Sequence, residues 1–147
     1  MINNFKGEYE FLSNFYRCRI YYRRVGFPTV EHAYQASKTL NSKTINIISN
    51  LKASQAAKAK RIGGNPKFTT IKEGFNDLRL SIMETLLIQK FGYQSLKDRL
   101  LKTEDQQLIE SNYWHDNFWG ECLCRKCKNE TGENNLGKLI MKVRSSL

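Results

Sequence analysis

Thr29-Val30-Glu31-His32-Ala33-Tyr34-Gln35-Ala36-Ser37-Lys38 is the stretch on which the reading of this chain turns. Pro28 fixes the backbone just ahead of it, and Thr29 has a side-chain oxygen able to cap a helix. The pattern therefore predicts a helix over residues 30–40. On that helix Glu31, Gln35 and Lys38 share a side, since seven residues return to within about 20° of the start. Val30, Ala33, Tyr34 and Ser37 form a neighbouring, less polar side that can turn inward. A carboxylate and an amine at the border of a core stand where burial shifts a pKa. The same residues also fit a charged, solvated face.

Outward from this helix, residues 17–25 are β-like around Ile20, Tyr21 and Tyr22, with Gly26 closing the segment. Downstream, short helices are expected at 44–51 and 54–62, the second stopped by Gly63-Gly64. The longest helix should cover 75–91, with Phe75, Leu78, Ile82, Met83 and Leu86 on one broad stripe. Residues 94–102 read as helix, and Leu108-Ile109-Glu110 is undecided. Residues 112–135 are irregular. A last helix begins near Leu136 and carries Leu136, Leu139, Ile140, Val143 and Leu147 on one face. This predicts an α+β fold: a single compact, mainly helical domain over 1–147, with a small antiparallel β element near the N-terminus.

The 147 residues are 40% hydrophobic and 12% aromatic, which excludes a disordered chain. No apolar run is long enough to span a bilayer, and residues 1–10 lack a signal-peptide core, so a cytoplasmic protein without a membrane partner is expected. Lys and Arg number 24 against 14 Asp and Glu, a formal charge of +10. That excess favours polyanionic partners, nucleic acid or phosphorylated small molecules, although dispersed lysines also serve solubility.

Four further clusters could carry chemistry. Asn112-Tyr113-Trp114-His115-Asp116-Asn117-Phe118-Trp119-Gly120 gathers rings able to stack on a flat ligand around an Asp suited to acid, base or charge-stabilising work. Core aromatics and a capping Asp explain it equally. Ser13-Asn14-Phe15 offers an amide between aromatics, or a turn. Cys122, Cys124 and Cys127 place three thiols within reach of one zinc ion, with His115 or Cys18 as a fourth ligand, or are free thiols. Gly132-Glu133-Asn134-Asn135-Leu136-Gly137 leads into a helix and suits either a phosphate or ribose site or a tight turn.

Taken in chain order, FLSNFY (11–16), EHAYQASK (31–38), DNFWG (116–120) and GENNLGKLIM (132–141) resemble the NADAR family, which includes the YbiA-like proteins. The resemblance spans nearly the whole chain. It implies a mainly helical α+β N-glycosidase that uses no redox cofactor. Members cleave N-ribosyl bonds, some in phosphorylated riboflavin-pathway intermediates and others between ADP-ribose and guanine in nucleic acid. By the same resemblance Glu31, Asp116 and Lys38 are the catalytic candidates. Ser13, Asn14, Phe15, Tyr34, Gln35, Phe75, Trp119, Gly120, Asn135 and Gly137 are the substrate-binding ones. Phe75 stands where YbiA-like members carry Trp, and the Cys122–Cys127 insert lengthens a loop that is short in them. The Phe75 departure leads away from a riboflavin-type substrate and, with the charge, toward ADP-ribosylated guanine, while the insert reshapes the substrate mouth. The other readings are a binding module for NAD or ADP-ribose without turnover, and a basic nucleic-acid-binding protein with a zinc loop.

Overall fold

The computed structural model describes residues 1–147 and divides them into two compact units, residues 14–90 and residues 1–13 with 91–147. No helix is long and apolar enough to cross a membrane.

The unit of residues 14–90 is built around helix α1 (Val30–Ser37), all eight residues of which are buried. Thr29 caps it, accepting from the His32 amide at 3.2 Å, as the sequence predicts. Ahead of it lies an antiparallel hairpin of β1 (Ile20–Tyr22) and β2 (Val25–Phe27), paired Ile20 to Phe27 and Tyr22 to Val25. Gly26 therefore lies within β2 instead of closing the β segment. The reversal falls on Arg23 and Arg24, with φ of 48° and 66°, the left-handed pair that a two-residue hairpin turn requires. Gly or Asn normally supplies that geometry, and two arginines give no such signal.

Helices α2 (Ser42–Ser49), α3 (Ala56–Gly63) and α4 (Phe75–Lys90) pack around α1. A Cβ on Gly63 would collide with the Gln35 side chain, so this glycine sets the close approach of α3 to α1. Along α4, Phe75, Ile82, Met83, Leu86 and Leu87 are buried, each such side chain contributing about 1.5–3 kcal/mol. Leu78, expected on that stripe, is exposed; the buried face is set by positions 82, 83, 86 and 87 instead. Gln89 of α4 holds the exposed edge of β1, accepting from the Tyr21 amide at 2.6 Å and donating to its carbonyl at 2.7 Å.

In the other unit a 3-10 turn (Gly7–Leu12) buries Phe11 and Leu12. Ile2 forms a parallel bridge with Leu108. Helix α5 (Gln94–Leu101) follows the expected span. The irregular stretch contains one short parallel pair, β3 (Ser111–Asn112) with β4 (Glu121–Cys122). Helix α6 (Asn135–Ser145) buries Leu136, Gly137, Ile140 and Val143; Leu147 lies past its end and is exposed.

Candidate active site

Glu31 sits in the first turn of α1 and is only 6% exposed, which rules out the solvated-face reading. Its backbone amide donates to the Asn14 carbonyl at 3.0 Å, and its Oε1 accepts from Gln35 Nε2 at 2.7 Å. The four-residue spacing of the sequence thus becomes a direct bond that orients the carboxylate. Asn14 is buried too. Its Nδ2 lies 3.5 Å from Met83 Sδ, while its Oδ1 is enclosed without a partner. Buried amide oxygens are seldom left unsatisfied, and this open acceptor, on the residue whose carbonyl takes the Glu31 amide, can receive a ligand hydroxyl.

Lys38 ends α1, its Nζ 5.5 Å from the centre of the Tyr34 ring. Tyr34 packs in turn on Phe75 at 5.8 Å, tilted by 50°. Both rings are buried, so Phe75 works first as the floor beneath Tyr34. Lys72 adds a second cation: its amide donates to the Lys38 carbonyl at 2.7 Å, and its Nζ donates to the Tyr22 hydroxyl at 3.3 Å.

Phe15 is exposed and lines a cleft of about 620 Å³ with Arg17, Pro28, Leu51, Lys52, Ala53 and Ser54. Arg17 lies two residues from Phe15 in the sequence, but Lys52 joins them only through the fold, so no sequence signal marks the set. Ser13 ends the first 3-10 turn, its amide on the Glu10 carbonyl.

His32 is structural. Its Nε2–H must donate to the Lys52 carbonyl at 3.1 Å, because a carbonyl only accepts. Nδ1 therefore takes the Thr29 hydroxyl proton at 2.6 Å. Burial pushes the His32 pKa down, opposed by the Lys52 carbonyl.

Asp116 belongs to the other unit and is half-buried. Its Oδ1 accepts from the Trp119 amide at 2.8 Å, an Asx-type turn that also fixes the loop. Asn112, which the sequence places in the same cluster without a role, holds this residue from both sides. Its Oδ1 accepts from the Asp116 amide at 3.2 Å and its Nδ2 donates to the Asp116 carbonyl at 2.7 Å. Trp119 packs edge-on to Phe118 at 4.9 Å. A Cβ on Gly120 would strike the Glu110 carbonyl, and one on Gly137 the Leu108 carbonyl, so both glycines allow close backbone packing. Asn135 donates to the Phe118 carbonyl at 2.9 Å. Asn134, at φ 48°, ties α6 to Leu108 and Glu110.

Beside Asp116, His115 and Cys122, Cys124 and Cys127 converge, their ligand atoms all within 4.8 Å of one another. The structure thus selects His115 over Cys18 as the fourth member. Burial, with the Cys122 and Cys124 sulfurs, pushes the Cys127 thiol up to about 12.

The NADAR domain matches residues 3–147. An N-glycosidase of Nostoc punctiforme is 32% identical over 140 residues, covering 95% of this chain and 86% of that one. A riboflavin biosynthesis protein of Vibrio vulnificus is 32% identical over 138 residues, covering 93% of this chain but 35% of its own length. The NMR structure of the Escherichia coli protein YbiA superposes with a TM-score of 0.80 at 28% identity, covering 99% of this chain and 84% of that chain. With a helix-borne buried carboxylate and these relatives, the protein is a hydrolase acting on N-glycosyl bonds. Within that class the chain belongs to the NADAR domain family.

Proposed function

We propose that the protein hydrolyses an N-ribosyl bond, with Glu31 and Asp116 as its acidic groups, and that the substrate is ADP-ribosylated guanine in nucleic acid. As the C1′–N bond breaks, its electron pair leaves with the base and positive charge grows on the ribose. Water oxygen then bonds to C1′, and one water proton balances the departing nitrogen. One carboxylate stabilises the ribosyl cation and the other handles the proton. No redox cofactor enters this balance.

The observation that carries the reading is the buried Glu31 carboxylate, held by Gln35, on a residue whose amide bonds to the carbonyl of Asn14. A binding module could use the same carboxylate to hold a ribose hydroxyl, so unchanged turnover in Glu31→Gln would favour that reading over hydrolysis. Lys38 serves as a fixed cation for a ribose hydroxyl or phosphate, or forms an imine with ring-opened ribose. Borohydride trapping during turnover distinguishes the two. The formal charge of +10 and the Phe15, Arg17 and Lys52 cleft support a ligand with flat rings and phosphates.

A second reading, hydrolysis of phosphorylated riboflavin-biosynthesis intermediates, is favoured by the name of the Vibrio relative. The test is to incubate the protein with a single-stranded oligonucleotide carrying ADP-ribosyl guanine and, separately, with those intermediates, and to measure released sugar. Release from the oligonucleotide that weakens steeply with added salt supports the first reading. Release only from the intermediates replaces it with the second.

A further inference from the structure

We propose that His115, Cys122, Cys124 and Cys127 form a structural zinc centre that fastens the loop bearing Asp116. A tetrahedral zinc site has Zn–S near 2.3 Å and Zn–N near 2.0–2.1 Å, which separates its donors by roughly 3.4–3.8 Å. His115 Nδ1 lies 3.2 Å from Cys127 Sγ and 3.3 Å from Cys124 Sγ. Those two spacings fall a few tenths of an ångström short of the tetrahedral values, and with all four ligand atoms within 4.8 Å of one another the set closes around a zinc ion with shifts of up to about an ångström.

Three local features lead the four donors to one point. The His115 backbone has a φ of 68°, a left-handed conformation for a residue with a side chain. Such strain persists where something else compensates it. The His115 amide donates to Cys122 Sγ at 3.3 Å, the main-chain contact expected of a metal-bound thiolate. A 3-10 turn at Arg125–Cys127, closed by the Cys127 amide on the Cys124 carbonyl at 3.1 Å, brings Cys127 back toward Cys124. Soft sulfur ligands with one imidazole select zinc over magnesium or calcium. Three thiolates and Zn²⁺ leave one net negative charge, which Arg125, Lys126 and Lys128 in the same segment offset.

Four protein ligands leave no open position, so the centre is structural. Its mechanical effect falls on Asp116. His115 precedes Asp116 directly. Cys122 belongs to β4, which pairs with β3, and Asn112 of β3 holds the Asp116 backbone. The metal thus closes a ring of contacts around Asp116, which becomes a positioning device for catalysis only if the proposed role of Asp116 holds.

The test is metal content and spectroscopy, neither of which involves a substrate. Full-length protein made in zinc-supplemented medium should contain about one zinc per chain. Replacement by Co²⁺ should give the visible bands of a tetrahedral site and a near-ultraviolet thiolate-to-cobalt band. Cys124→Ser, at a half-exposed position, should lose that zinc, whereas Cys18→Ser should keep it. In the unmodified protein a chelator should lower Tm. Zinc well below one equivalent with no thiolate–cobalt band overturns the proposal. Equal zinc loss in Cys18→Ser and Cys124→Ser overturns the ligand set.

Discussion

Glu31 and Asp116 are held in opposite ways. Glu31 rides on a capped helix whose every residue is buried, so ordinary helix geometry aims its carboxylate and Gln35 completes the orientation. Asp116 lies in a stretch with almost no regular structure. Amide side chains on backbone groups hold it: Asn112 on Asp116, Asn117 Oδ1 on the Cys122 amide at 2.9 Å, and Asn134 on Leu108 and Glu110. A helix tolerates the loss of one contact, whereas a loop built from single polar links loses its geometry link by link. The comparison teaches that the same type of acid can be made reliable by packing in one place and by cross-links in another.

Removing the charge of Glu31 should have the largest effect. Glu31→Gln keeps an oxygen for the Gln35 amide, so the fold and Tm should hold while kcat falls about 10³-fold. Asp116→Asn keeps the acceptor for the Trp119 amide and should cost about 10²-fold in kcat at unchanged Tm. Asn112→Ala sharpens the contrast: it should lower kcat through a misplaced Asp116, and the loss should shrink when Asp116 is already Asn. A next smaller effect on turnover, with a clear effect on stability, is expected for Gly63→Ala. Its Cβ displaces Gln35 and separates α3 from α1, lowering stability by about 1–3 kcal/mol in thermal melts.

The smallest effect concerns pH. The folded His32 pKa lies below its unfolded value of about 6.5, so below that pH the unfolded chain binds the proton that the folded chain excludes. This contribution to stability is complete above about pH 6.5 and declines as the pH falls toward the lowered folded value. Tm measured from pH 7.5 downward should show that decline, and His32→Asn should flatten it.

The regular unit was largely legible from sequence. The Thr29 cap, the starts of α1 and α4 and the α5 span follow from residue type and period. The complete burial of α1 was not legible, because a helix with Glu, His, Gln and Lys normally exposes a face and only the surrounding elements decide otherwise. The Arg23-Arg24 turn carries no turn-type residue, and the β3–β4 pair joins segments too short for any period to reveal. In the loop, the cysteine spacing identified three members of the His115–cysteine cluster. The choice of His115 over Cys18 required coordinates, as did the part played by Asn112, since an Asn in an irregular stretch gives no hint of which backbone it will hold.

The most direct test of the central claim is the release of free ADP-ribose from an oligonucleotide carrying ADP-ribosyl guanine, followed for the unmodified protein and for Glu31→Gln side by side. The account predicts that the unmodified protein yields ADP-ribose and intact guanine in equal amounts, with turnover about 10³-fold slower in the variant. Equal rates from the two proteins, or no sugar released by the unmodified one, would contradict it.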